Sequence, residues 1–398
     1  MTPAARLAAA AGLLDEIGVG TPAEKVLTRW GRGARYAGSG DRAAVRDLVF
    51  DVLRTRRSCA ARGGGATGRA LVLGLLRERG DDPAAWFTGA RHALPPLTAA
   101  EAAGGRAPEG WEALDMPDWL GPALRESLGD AAEAVCRVLR ERAPLFLRWH
   151  ERRTDAGAAL AALAEDGIVA APHPLAPTAL VVTEGARRLR QARAYREGLV
   201  ELQDAASQAV CAALPAGPGL RALDYCAGGG GKTLALAARG AEVVAHDADP
   251  ARMADLPRRA TRAGDTVRIA TPGEVAALGP YALVLADVPC SGSGAWRRQA
   301  EAKWRLTREG LDRLIALQAA ILGEAAARVR PGGRLAYATC SLLREENEAQ
   351  VARFLAKAGE AWTLEATRRF GLAAGGAGDV AARSDGDGLF LALMRRSG

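Results

Sequence analysis

The sequence predicts an α/β protein. A doubly wound parallel sheet fills the C-terminal half, behind an all-helical N-terminal region and a small α+β segment. Three observations carry this. From about Val200 short apolar strands alternate with helical patterns, as in a parallel sheet covered on both faces. Residues 1–140 place apolar side chains at three- and four-residue spacing, the period of helices. The 398 residues are 49% hydrophobic and 25% charged, ordinary for a globular chain of two or three domains.

The elements follow in order. Helices are predicted over Arg6–Ile17, Pro22–Trp30, Asp41–Arg56 and Ala70–Arg79; Val45, Leu48, Val49, Val52 and Leu53 mark one face of the third, with Asp41 as its N-cap. Glycine and proline clusters at Gly63–Gly68 and Gly104–Gly110 read as loops. A second segment, 141–199, has strands at Leu145–Trp149 and Ala179–Val182 around a helix at Ala158–Glu165. Arg187, Arg188, Arg190, Arg193 and Arg196 then crowd together, either a solvated helix face or a surface for phosphates. In 200–398, strands are expected at Arg221–Tyr225, Glu242–Ala245, Val267–Ala270, Ala282–Ala286 and Arg334–Ala338. Helices are expected at Thr233–Ala238, Ala251–Arg262, Leu311–Arg328 and Glu346–Ala358, the second bent or shortened by Pro257. Leu389–Met394 closes the chain as a strand antiparallel to the rest.

Fifty-three basic side chains against 46 acidic ones give a net charge of +7, which favours polyanions as partners. Only Lys25, Lys232, Lys303 and Lys357 are lysines, so the arginine richness reflects overall composition and argues only weakly for nucleic acid. The six cysteines are scattered without a CxxC pair, which argues against a disulfide framework and for a reducing, cytoplasmic setting. The apolar stretch Leu7–Leu14 reads as an amphipathic helix, not a signal peptide. No apolar run approaches the ~18–20 residues of a membrane span. No His/Cys cluster has metal-ligand spacing, so no metal is expected.

The chemistry gathers at predicted strand ends. The first strand runs into Asp224-Tyr225-Cys226-Ala227-Gly228-Gly229-Gly230-Gly231-Lys232-Thr233, a glycine turn that exposes backbone N–H groups at a helix start. It is not a P-loop, because Cys226 occupies the position of that motif's first glycine. The second strand ends at Asp247, placed to accept hydrogen bonds from ribose hydroxyls. The fourth ends in Asp287-Val288-Pro289-Cys290-Ser291-Gly292-Ser293-Gly294 and the fifth in Thr339-Cys340-Ser341. In the usual order of such sheets the first, fourth and fifth strands are neighbours, ~4.8 Å apart, so both sulfurs fall beside the glycine turn.

These three motifs, with Glu345-Glu346-Asn347 shortly after Cys340, closely resemble those of the RNA cytosine-5 methyltransferases. Gln203-Asp204-Ala205-Ala206-Ser207-Gln208, Arg297-Arg298, Lys303-Trp304 and Asp387-Gly388-Leu389-Phe390 extend the likeness over about 190 residues. Along its whole length the chain is similar to the bacterial rRNA members of that family. The resemblance implies a class I, Rossmann-like S-adenosylmethionine-dependent methyltransferase sheet at 200–398. It also implies a NusB-like RNA-binding domain at 1–140 and an RNA-binding segment at 141–199.

It implies S-adenosylmethionine as methyl donor, held by Cys226, Ala227, Gly228, Gly229, Gly230, Gly231, Lys232, Asp247 and Asp287. Cys340 is then the nucleophile on cytosine carbon 6, Cys290 removes the proton that releases product, and Asp287 and Lys232 attend the base. A cysteine addition of this kind splits one hard step into two. The expected partner is RNA, most simply small-subunit rRNA, taken by a monomer without membrane or metal. A tRNA substrate and a non-catalytic RNA-binding or ribosome-assembly factor are the alternatives. The latter has no use for two cysteines. The Thr-Cys-Ser turn separates this class from DNA cytosine methyltransferases, and the lack of an Asn/Asp-Pro-Pro-Tyr/Phe motif separates it from methyltransferases of exocyclic amines. The chain departs from the family at four places. Gly228-Gly229 replaces Ala-Pro, implying a looser turn and weaker cofactor binding; Ala270-Thr271-Pro272 lacks the third-strand acid; Ala300-Glu301 replaces Pro-Asp; and His150 replaces Asn.

Overall fold

The computed structural model describes residues 1–374 and 386–398. The chain forms two compact units. One comprises Met1–Ala123, Ala132–Arg142 and Trp296–Arg305, the other Leu124–Ala131, Ala143–Ala295 and Leu306–Gly398.

The first unit is helical. Its main helices span Pro3–Gly18, Ala23–Gly33, Ser39–Arg54, Arg56–Gly63 and Gly68–Arg79. Their apolar stripes meet in one core that includes Leu7, Leu14, Val26, Val49, Val52, Leu73 and Leu76. Thr2 and Thr67 cap the first and last of them by accepting from Ala5 and Ala70 N–H. The third helix starts two residues earlier than expected, so Asp41 is its third residue and not its N-cap. From there the carboxylate accepts the Gly38 N–H at 3.1 Å and also binds the chain's amino terminus at 3.0 Å. Residues 296–305 belong to this unit although their neighbours in sequence do not. Trp304 Nε1 donates to Leu53 O at 2.6 Å, Lys303 Nζ to Arg54 O at 3.1 Å, and Arg54 Nε to Arg297 O at 2.8 Å.

The second unit holds two sheets. β1 (Leu145–Trp149), β2 (Val169–Pro172), β3 (Ala179–Glu184) and β4 (Val200–Leu202) form an antiparallel sheet in the order β2-β3-β1-β4, with the helix Ala156–Glu165 packed on it. β5 (Arg221–Asp224), β6 (Glu242–Ala245), β7 (Val267–Ile269), β8 (Tyr281–Asp287), β9 (Val329–Thr339), β10 (Trp362–Phe370) and β11 (Leu389–Arg396) form the larger one. Its order is β10-β11-β9-β8-β5-β6-β7. β5 to β9 run parallel, and β11 lies antiparallel between β9 and β10. The predicted adjacency of the first, fourth and fifth strands is therefore present as β5, β8 and β9. Val and Leu side chains on both faces, such as Leu223, Val284, Leu285 and Leu335, are fully buried, as a sheet covered by helices on each side requires. Pro257 does shorten its helix: a 3₁₀ turn at Pro250–Met253 precedes a helix at Leu256–Ala263 that carries the proline in its first turn. Among the described residues no helix is long and apolar enough to cross a membrane.

Candidate active site

The Cys290 and Cys340 motifs sit at the C-terminal ends of the adjacent parallel strands β8 and β9. Ala338 of β9 accepts the N–H of Val288, just past β8, at 3.0 Å, so the two chains leave the sheet side by side. Cys290 Sγ and Cys340 Sγ then stand 3.3 Å apart. A hydrogen bond to Cys340, followed by burial, raises the Cys290 thiol well above its usual value. Cys226 is pushed up by burial.

The glycine turn leaves β5 next to them. Gly228 and Gly230 take φ of +51° and +80°, and the helix Gly231–Ala238 begins at once. Ala227 N–H bonds to His246 O and Ala227 O accepts from Gly230, each at 2.8 Å, which closes the turn over the end of β6. At that end Asp247 is buried; its carboxylate accepts the N–H groups of Gly228 at 2.9 Å and Asp249 at 3.0 Å, and pairs with Arg252 at 3.1 Å. Gly229 O accepts from Arg259. Lys232 Nζ donates to Asp287 Oδ2 at 2.6 Å. Burial alone would push the Lys232 ammonium down, but the Asp287 carboxylate outweighs it and holds it above its usual range. The structure thus brings Lys232 and Asp287 into contact, and joins Gly228 to Asp247.

The residues fit S-adenosylmethionine on the chemistry of this donor set. A carboxylate offers about four acceptor sites, and Asp247 has three donors, which leaves room for a ribose hydroxyl. Two buried oxygens beside the turn have no partner, Asp224 Oδ1 and Gln203 Oε1, while Gln203 Nε2 donates to Gly231 O at 3.1 Å. The third-strand position that lacks an acid is occupied by backbone: Ala270 O lies 3.3 Å from His246 Nδ1, and the His246 ring packs 5.1 Å from Tyr225. Thr271 instead starts a short helix by bonding Glu274.

Sequence reasoning missed the polar core beneath the sulfurs. Glu346, Asn347, Ser341, Ser293 and Gln318 are all buried. Glu346 accepts from Ser291 and Ser341, and Asn347 Nδ2 donates to Ser341 O at 2.9 Å. Gly294 N–H donates to Cys340 O at 2.9 Å, and Gly294 O accepts from Gly388 N–H at 2.9 Å. A Cβ at Gly294 would meet Gly388 O at 2.0 Å, so the close approach of the Asp387-Gly388 turn requires glycine at 294. Asp387 N–H in turn bonds Asp204 Oδ1 at 3.1 Å. The signal was present as Glu345-Glu346-Asn347, but a glutamate in sequence reads as a solvent-facing charge.

Comparison with known proteins agrees with this arrangement. The family described as 16S rRNA methyltransferase RsmB/F matches residues 212–395, and a ferredoxin-like domain of the RsmF/B-like methyltransferases matches residues 116–187. The ribosomal RNA small subunit methyltransferase B of Xylella fastidiosa (strain Temecula1) is 32% identical over 93% of this chain and 85% of its own length. That of Xanthomonas campestris pv. campestris is 35% identical over 71% of this chain and 66% of its own length. The crystal structure of PH0851 has the same fold, with a TM-score of 0.74 and 21% identity over 100% of this chain and 99% of that one. A sheet that ends in two facing thiols, and relatives this similar over this much of the chain, give one conclusion: the chain belongs to the RsmB/F family of 16S rRNA methyltransferases.

Proposed function

We propose that this chain, acting as a monomer in the cytoplasm, methylates carbon 5 of a cytosine in 16S rRNA, with Cys340 as nucleophile and Cys290 as the base that frees the product. The observation that carries the reading is the pair of sulfurs 3.3 Å apart beside the glycine turn. Cys226 to Lys232, Asp247 and Asp287 hold S-adenosylmethionine, which supplies an electrophilic methyl group on a sulfonium.

Cys340 sulfur adds to carbon 6 of the cytosine, and electron density moves to carbon 5 and ring nitrogen 3. The Lys232–Asp287 pair serves that nitrogen: Asp287 hydrogen-bonds it when one of the two carries the shared proton, which stabilises the adduct, and Lys232 orients the base. The proton on Cys290 helps first, because its S–H stabilises the Cys340 thiolate. Once Cys340 is bonded to carbon, the charge that held the Cys290 proton is gone and its thiol acidifies. Cys290 then releases its own proton to solvent; once carbon 5 has bonded to the methyl group, the Cys290 thiolate takes the remaining proton from carbon 5, the carbon 5–carbon 6 double bond re-forms, and Cys340 sulfur leaves. The target base must be unpaired or flipped to reach these groups. Residues 1–140 and 141–199 serve as RNA-binding parts and 200–398 as the catalytic domain.

Cys340→Ala is expected to abolish methyl transfer and spare RNA binding. Cys290→Ala should accumulate a covalent RNA adduct, seen as a slow band on a denaturing gel. An adduct formed by the Cys340 variant alone exchanges the two roles. Bisulfite sequencing of rRNA and tRNA from a deletion strain identifies the substrate; a cytosine lost only from tRNA overturns the rRNA assignment.

A further inference from the structure

We infer that Glu346 is a positioning residue that sets the separation of Cys290 and Cys340; the inference rests on the function proposed for that pair. Glu346 is fully buried. Its Oε1 accepts from Ser291 N–H at 2.8 Å and from Gln318 Nε2 at 2.9 Å. Its Oε2 accepts from the hydroxyls of Ser291 and Ser341, each at 2.5 Å. Two of these donor residues directly follow Cys290 and Cys340 in the chain. One rigid carboxylate therefore ties the loop after β8 to the loop after β9, immediately beside both sulfurs.

The tie is itself anchored. Tyr337 OH, from β9, donates to Glu346 O at 2.6 Å. Gln318, on the helix Arg308–Ala326, donates to Pro289 O at 2.9 Å as well as to Glu346, and accepts from Gln350 Nε2 at 3.1 Å. Four donors match about four lone-pair sites, so the acceptor-only carboxylate is saturated. A buried charge carries a desolvation penalty, and an apolar side chain of similar volume often serves stability as well or better. The four converging donors account for a carboxylate here: beside the Gly294 N–H to Cys340 O bond, it adds the side-chain tie that fixes the two loops next to their sulfurs.

The side chain also has a conservative replacement that separates geometry from charge. In Glu346→Gln the amide oxygen can take the Ser291 N–H and Gln318 donors. Its NH2 then faces two hydroxyls, which can turn to accept. Glu346→Leu removes all four bonds.

The test uses the full chain, reduced, with two readouts. One is bridging of the two thiols by phenylarsine oxide, located by peptide mass without RNA or cofactor. The other is methyl transfer, as kcat and as KM for S-adenosylmethionine. The wild type and Glu346→Gln are expected to be bridged at Cys290 and Cys340, with kcat within about threefold of one another. Glu346→Leu, with native circular dichroism, is expected to lose that bridge and about 100-fold in kcat, the scale of a displacement of about 1 Å, with KM little changed. Bridging and kcat at wild-type levels in Glu346→Leu overturn the inference. So does a rise in KM alone. Should Glu346→Leu not fold, the Ser291→Ala/Ser341→Ala pair is expected to lose bridging in its place, and wild-type bridging there overturns it. A wild type that bridges in a Glu346-dependent way but transfers no methyl group supports the positioning role and sinks the proposed function instead.

Discussion

At the scale of single residues, burial decides which charges the site carries. Asp224 ends β5 fully enclosed, and this burial raises its carboxyl from an ordinary 3.8 to about 7, against the smaller pull of the Thr233 hydroxyl at 2.6 Å. The sign of its effect on stability follows. Between about pH 4 and 7 the folded chain keeps a proton that the unfolded chain has lost, so stability falls as pH rises through that window and is flat above it. Asp224→Asn keeps an acceptor for Thr233 and removes the slope. Its melting temperature relative to wild type should rise from pH 5 to pH 8, by about 2–4 kcal/mol in unfolding free energy. A constant difference across that range would put the titration elsewhere. Lys232 is half-buried, and against the desolvation that would lower its ammonium, contact with Asp287 holds it above the usual range.

At the scale of elements, the glycine turn is fixed by steric need. Gly230 is the residue before the helix Gly231–Ala238; its φ is +80°, and a Cβ there would lie 2.3 Å from Leu256 Cδ1. Gly230→Ala should cost about 1–2 kcal/mol from the left-handed backbone, before any shift of Leu256. Chemical denaturation measures this, and calorimetric titration should show weaker S-adenosylmethionine binding. Unchanged affinity would mean the turn does not touch the cofactor. Strands with buried faces were legible here, because β6 and β8 carry unbroken apolar runs. β10 was not. Trp362–Phe370 is an edge strand with most side chains exposed; Trp362, Leu364 and Ala366 alternate with polar residues, but Arg368 breaks the pattern and the strand carries no apolar run. β2 and β4 are short, and β2 is mostly exposed, so they escaped for a similar reason.

At the scale of the whole molecule, the charge of +7 favours polyanions without saying which arginines meet them. Of the arginines between 187 and 196, Arg193 is committed to Glu165 at 2.8 Å and Glu197 at 3.4 Å, so part of the cluster is a solvated ion-pair surface. Arg190 and Arg196 are exposed. If both meet phosphates, Arg190→Gln/Arg196→Gln should flatten the slope of log affinity against log salt by about 0.7–0.9 per lost contact, leaving kcat unchanged at saturating RNA. Filter binding at several salt concentrations measures it; an unchanged slope assigns the cluster to solvation. Residues 296–305 carry a second lesson. Arg297, Lys303 and Trp304 extend the family likeness beyond the first cysteine motif in sequence, and in the structure they complete the helical unit, with Lys303 fully buried and lowered to about 8 by that burial.

The sequence alone determined the parallel sheet, the two cysteines at its edge, the glycine turn and the acid beyond it. Each is set by local means, through apolar period, backbone freedom or residue type. Only the tertiary structure decided that Glu346 lies beneath both sulfurs, that Gly388 closes against Gly294, and that β11 enters between β9 and β10. Those contacts join segments far apart in the chain, and nothing in a run of neighbouring residues encodes which distant donor will saturate a buried carboxylate.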